Sequence, residues 1–148
     1  PDANHTLKGA IAGLNLGTDA PKIFKALVEA TAFGAKRIVE RFQSEGVPIR
    51  QVIGIGGVSK KSPFVMQTLA NVLNMPIKIV RSEQACALGA AICAATAAGV
   101  YPTMPAAQAA MASAYDAEFQ PQPGRVEVYG KLYRQYVELG DFVENNRM

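Results

Sequence analysis

The chain has 148 residues, 49% of them hydrophobic and 18% charged. That length and balance describe one globular domain, able to bury a core without disulfides, and exclude a disordered tail. The net charge of +3 is mild, and no cluster of Lys and Arg interleaved with aromatics marks a nucleic-acid surface.

The chain opens Pro1-Asp2-Ala3-Asn4 rather than with Met and shows no signal-like segment. Its most apolar stretch, residues 85–101, is rich in alanine and reaches only roughly 25 Å as a helix, too short to cross a membrane. The expectation is a soluble fragment of a longer chain.

Residues 1–17, punctuated by Gly9, Gly13 and Gly17, read as irregular. Thr18 or Asp19 then caps a helix with Pro21 in its first turn. Phe24, Leu27, Val28, Thr31, Ala35, Ile38 and Phe42 recur at steps of three and four, which predicts the buried face of a long amphipathic helix. Gly46 and Pro48 end it.

Residues 51–55 are a short apolar run, read as a buried strand that Gly56 and Gly57 break. Ser62-Pro63 reads as the cap and first residue of a second helix, with Val65, Leu69, Val72 and Leu73 as its apolar face. Asn74-Met75-Pro76 stops it, and residues 77–80 read as a second strand. Ser82 is expected to cap a third helix to about Ala98, closed by Gly99. Thr103-Met104-Pro105 opens an alanine-rich helix to about Ala114. Residues 116–123 read as a polar, proline-bearing link. A last helix, roughly residues 127–144, carries Tyr129, Leu132, Tyr133, Tyr136 and Val137 on one face.

Alternation of strand and helix in the middle predicts an α/β core with at least one parallel strand pair. Two strands are few for a free-standing sheet. The expected fold is therefore helix-rich with an incomplete sheet, and an exposed apolar edge would favour self-association into a homo-oligomer.

Cys86 and Cys93 stand seven apart on one expected helix, roughly 10.5 Å along it, too far for a disulfide. Both read as small buried residues of a reducing compartment. A single histidine, His5, leaves little for a His-based metal site or a Ser/His pair, and reads as a loop residue.

The stretch Gly54-Ile-Gly-Gly-Val-Ser-Lys-Lys-Ser-Pro-Phe64 runs from a strand through a Gly-Gly turn into a helix start. Glycines there let a ligand approach the backbone closely. In open α/β sheets ligands bind at the carboxyl ends of strands, and a nucleotide is the natural candidate. The dinucleotide pattern G-x-G-x-x-G begins at Gly54 and Gly56 but meets Ser59 at its third glycine, and no Gly-Lys-Ser/Thr triplet exists. The alternative is a strand-to-helix turn that needs glycine only for its geometry.

Other features divide the same way. Gly89, Ala90, Ala91, Ala94 and Ala95 suit close helix packing. Glu83 either complements a helix start or faces a nucleotide. Lys60-Lys61 is either solvated or in reach of phosphate or ribose. The tyrosines of the last helix read as packing. None of Asp2, Asp19, Asp116 and Asp141 follows a strand in an acidic, Gly-rich context, so no general base stands out.

Taken together, Gly56-Gly57-Val-Ser-Lys-Lys-Ser-Pro63, residues 66–76 and 82–92, Ala94-Ala-Thr-Ala-Ala-Gly-Val100, Met111-Ala-Ser-Ala114 and Lys131-Leu-Tyr-Arg-Gln-Tyr136 resemble the C-terminal part of the FGGY carbohydrate kinases. The opening Pro1-Asp-Ala-Asn4 with Gly9 and Gly13-Leu14 resembles the family stretch after its Arg-Thr-Pro segment. That family belongs to the actin-like ATPase superfamily, whose two RNase H-like domains close over ATP and sugar. The resemblance implies a partial nucleotide-side domain over residues 1–115, with 116–148 as linker and C-terminal helix packing on it. It places Gly56, Gly57, Val58, Ser59 and Ser62 at the adenosine of ATP. It implies Mg²⁺ with ATP and a ketopentose as sugar, with L-ribulose first and D-ribulose or xylulose as alternatives. It implies a cytoplasmic role in arabinose use. The catalytic base would lie upstream, so this chain alone is expected to be inactive. A non-catalytic packing or interaction module is the competing reading. No nucleic-acid or membrane partner is implied.

Overall fold

The computed structural model describes residues 5–146, and the opening Pro1-Asp-Ala-Asn4 lies outside them. The described chain forms six helices and three strands, and its contacts group them into two units.

The first unit takes residues up to Ile49, residues 71–74, and the chain from Pro121 onward. Residues 7–15 are irregular, as expected. Helix α1 spans Ala20–Ser44, and Asp19 is its cap. The Asp19 carboxylate accepts from the Lys22 N–H at 3.0 Å, which satisfies one of the donors a helix start leaves free. Gly46 at φ +81 ends the helix. Its N–H and that of Val47 donate back to the carbonyls of Gln43 and Phe42 at 3.0 and 2.9 Å.

Helix α6 spans Pro123–Asn145, four residues longer at its start than the sequence pattern indicates. It packs on α1 through aromatic rings. Phe33 meets Tyr129, Tyr133 and Tyr136 with ring centroids 6.2, 5.9 and 5.4 Å apart. Tyr129 also donates to Glu29 at 3.0 Å, and Tyr133 donates to Glu40. Lys36 lies 4.6 Å above the Tyr133 ring. The α6 tyrosines are thus packing residues.

This packing overturns the expected face of α1. Phe24, Leu27, Ile38 and Phe42 are 48–65% exposed, while Ala32 and Phe33 are buried. At about 100° per residue, Phe33 points nearly opposite the Phe24–Phe42 stripe. The helix carries apolar residues on both sides, and its period cannot say which side an aromatic partner will take.

The second unit holds residues 50–70 and 75–120. Its elements are β1 (Val52–Gly54), α2 (Gly57–Lys61), most of α3 (Pro63–Leu73), β2 (Ile77–Val80), α4 (Ala85–Ala97), α5 (Met104–Met111) and β3 (Tyr115–Phe119). The sheet order is β1-β2-β3, with β1 parallel and β3 antiparallel to β2. The central strand carries the core: Ile77 and Ile79 are 0% and 2% exposed. Burying a side chain of this size stabilises by about 1.5–3 kcal/mol. Met66 and Ala70 of α3 are buried as well, as is Val72 at its far end. Val65, Leu69 and Leu73 are half-buried.

Several expectations are corrected. Residues 116–123 are not merely a link, because residues 115–119 form β3. The alternation of Tyr115, Ala117 and Phe119 with Asp116 and Glu118 is the period-two signal for it. Strand β1 is half-exposed rather than buried, with Ile53 45% accessible. It lies at a sheet edge.

Ser82 does not cap the third helix, which starts at Ala85 with Gln84 before it. Arg81 N–H donates to Ala114 O at 2.8 Å and Ser82 N–H to Ser113 Oγ at 2.9 Å. Pairing with the third strand's approach therefore keeps this stretch from coiling at Ser82. Helix α5 is capped by Thr103 as expected but ends at Met111.

Cys86 and Cys93 are free, as expected, but exposed rather than buried. Ile92 is the buried residue of α4, and Gly89, Ala90, Ala91 and Ala94 are exposed too. A helix that is alanine nearly all round has no bulky stripe to choose its packed face.

Candidate functional site

The glycine segment sits at the carboxyl end of β1. Gly54, the last strand residue, is there because nothing larger fits. A Cβ at Gly54 would lie 2.7 Å from Ile79 Cδ1 and 3.2 Å from Ser59 Cβ. The strand therefore presses directly on its neighbours.

Two residues later the chain turns at Gly56, with φ +82 and ψ 179, a conformation that is essentially glycine-only. Around Gly56 and Gly57 the situation is the reverse of Gly54. A Cβ on either would meet no atom within 4 Å. Both Cα positions thus border open space, and Val58 beside them is 61% exposed.

Ser59 lies underneath. It is 6% exposed, and its hydroxyl donates to the Gly56 carbonyl at 2.7 Å. It holds the turn from inside. Ser62 closes the five-residue helix α2, and its hydroxyl accepts from the Val65 N–H at 3.4 Å at the start of α3. The five sequence-predicted residues therefore split. Gly56, Gly57 and Val58 form an open apolar and backbone surface, while Ser59 and Ser62 brace it.

Lys60 and Lys61 also separate. Lys61 is exposed. The Lys60 ammonium donates to the Arg81 carbonyl and lies 3.5 Å from Asp116 Oδ2. Arg81 Nε donates to the other oxygen of Asp116 at 3.0 Å. The Arg81 guanidinium, then Lys60, hold the Asp116 carboxyl below its ordinary value, against a partial desolvation that raises it. Asp116 belongs to no motif of the sequence. The signal for it is indirect: an acid on the alternating stretch 115–119, opposite a strand that Arg81 directly follows.

Glu83 and His5 are exposed turn residues. Glu83 precedes α4, whose first turn holds no acidic residue. A separate cavity of about 730 Å³ in the first unit lies between residues 7–13, α1 and α6, and none of the five predicted site residues lines it.

Residues 1–98 match the C-terminal domain of the FGGY family of carbohydrate kinases. The chain belongs to that family. It is 52% identical over 144 residues to a ribulokinase of Vibrio parahaemolyticus, covering 97% of this chain and 25% of that protein. It is 43% identical over 148 residues to a ribulokinase of Bacillus licheniformis, covering 96% and 27%. The chain thus spans about a quarter of the length of these curated relatives. Its fold matches the crystal structure of a xylulose kinase from Brucella ovis at a TM-score of 0.87 and 23% identity, over 98% of this chain and 29% of that one. The small parallel-and-antiparallel sheet among helices is thereby part of the fold it shares with that kinase.

A kinase family draws its phosphoryl group from ATP, accompanied as a rule by Mg²⁺. The open surface of Gly56, Gly57 and Val58 fits a flat, partly apolar group such as adenosine, since backbone without side chains permits close approach. The residues tied to this turn do not fit the metal. Their carboxylate, Asp116, is engaged by two cations, and no group of three or more His, Cys, Asp or Glu side chains able to hold a metal ion occurs among the described residues.

Proposed function

We propose that this chain is the nucleotide-side part of a ribulokinase. In the whole protein it would transfer the γ-phosphoryl group of ATP to L-ribulose, giving L-ribulose 5-phosphate. The observation that carries the reading is the 52% identity to a ribulokinase along 97% of the chain.

In this reading Gly56 and Gly57 lie against the adenosine, and Val58 offers an apolar surface to its base. Ser59 holds the Gly56 carbonyl from below, and Ser62 fixes the join between α2 and α3. Residues 1–115 carry the partial nucleotide-side domain, while residues 116–148 supply the rest of β3 after Tyr115, a link and the C-terminal helix that packs on that domain. Mg²⁺ would accompany ATP, held by residues outside this turn. The general base and sugar contacts belong to the rest of the protein. The setting is the cytoplasm and the use of arabinose.

A coupled kinase assay of the full-length protein on L-ribulose, D-ribulose and D-xylulose tests this. Greatest kcat/KM on L-ribulose, with no turnover by the 148-residue chain alone, is the expected outcome. Preference for another pentulose would move the substrate within the family. No turnover of any pentulose would remove the reading.

A further inference from the structure

Helix α2 has only five residues and no side-chain hydrogen bond at its start. A single helical turn is unfavourable on its own, because nucleation fixes several dihedrals for one hydrogen bond. Something outside the helix must keep the Gly56–Gly57 turn in one geometry. Ser59 supplies one brace. The second is Lys60, whose ammonium is fastened to the Arg81 carbonyl and to Asp116.

The position of Asp116 has a structural cause. Ile79 pairs with Ala117, but Val80 pairs with Tyr115. The shift leaves Asp116 without a cross-strand partner, as a bulge. Bulges re-aim side chains and are enriched beside functional sites. Here the freed carboxylate meets Arg81 Nε at 3.0 Å and Lys60 Nζ at 3.5 Å. One carboxylate thus bridges two cations that would otherwise repel each other. It ties the glycine turn, through Lys60, to the carboxyl end of β2.

We propose that Asp116 is a positioning residue for the nucleotide. Acting through Lys60, it holds the Gly56–Gly57 turn in the conformation that receives adenosine. The proposal rests on the adenosine reading of that turn.

Steady-state kinetics of the full-length protein tests it, with Asp116→Asn, Asp116→Glu, Lys60→Met, Asp116→Asn/Lys60→Met and Gly57→Leu. Asp116→Asn is expected to raise KM for ATP roughly threefold to tenfold, the scale of one ordinary hydrogen bond, since the ion pairs are partly solvated. KM for the sugar should hold, and kcat should move less than KM for ATP. Glu at this position should restore most of the loss. The double variant should be no worse than the worse single one, because both break one tether. If Gly57→Leu raises KM for ATP and neither Asp116→Asn nor Lys60→Met does, the positioning role is wrong and the adenosine reading stands. Equal damage to ATP, sugar and kcat, with a lowered melting temperature, would also overturn it in favour of a merely structural ion pair. If Gly57→Leu leaves KM for ATP unchanged, the adenosine reading itself falls.

Discussion

After β1 the chain turns through Gly56 and Gly57 with no side chain over its backbone, whereas after β2 it runs on past Val80, paired to residues 113 and 114. Both strands are parallel and lie side by side in one sheet. Both lead into helices without a side-chain cap. The β2 exit is occupied by the chain itself, since the Arg81 and Ser82 amides donate to Ala114 and Ser113. The β1 exit is held from below and from the side, by Ser59 and Lys60, and stays open above. Equivalent positions in a sheet therefore differ in what they offer a ligand. The difference comes from which neighbour takes up the backbone groups.

The comparison can be broken most severely at Gly54. Gly54→Val would drive carbon into Ile79 and Ser59, where even a Cβ meets Ile79 Cδ1 at 2.7 Å. Overpacking of this kind destabilises by about 1–3 kcal/mol, and the upper end is expected because Ile79 is 2% exposed. Urea unfolding checks it. A change under about 0.5 kcal/mol, the range of ordinary surface substitutions, would mean that β1 does not press on β2 as described.

Acid sharpens the other side of the comparison, with a smaller effect. The Arg81 guanidinium and Lys60 lower the Asp116 pKa from its ordinary 3.8. A carboxyl lowered in the folded state adds stability that is present above its unfolded value and is lost as pH falls through the folded one. The stability difference between the native protein and Asp116→Asn should therefore be full above about pH 4 and shrink below it. Both partners are partly solvated, so the difference is small and weakens with salt. A difference that grew on acidification would contradict the ion-pair geometry.

Much of this architecture was legible from residue order. Asp19 and Pro21, Ser62-Pro63 and Thr103 mark helix starts through their own chemistry, and Gly46 and Gly99 mark ends by taking positive φ. Those signals are local, so they survive folding. What depended on a distant partner was not legible. The packed face of α1 was decided by three tyrosines about a hundred positions away. The late start of α4 was decided by residues 113 and 114. Ile53 is exposed because its strand lies at an edge.

The candidate site shows the same division. Gly56 and Gly57 stand out in the sequence because two adjacent glycines after a strand have a conformational meaning. The resemblance places Ser59 at the adenosine, and the structure gives its hydroxyl to the Gly56 carbonyl. Asp116 has only the indirect signal of an alternating stretch, because its role depends on a one-residue bulge against β2. Lys60 could not be told from Lys61 until the fold brought Arg81 and Asp116 beside it.

The central claim is that the open Gly56–Gly57 backbone receives the adenosine of ATP. Gly57→Leu in the full-length protein tests it most directly, since a side chain there enters space that no atom within 4 Å of its Cβ occupies. The fold should therefore tolerate the change while the nucleotide does not. Steady-state kinetics should show KM for ATP raised at least roughly tenfold, the factor set by about 1.4 kcal/mol of lost binding, with KM for the sugar within about twofold. An unchanged KM for ATP in a protein that melts as the native one does would contradict the account.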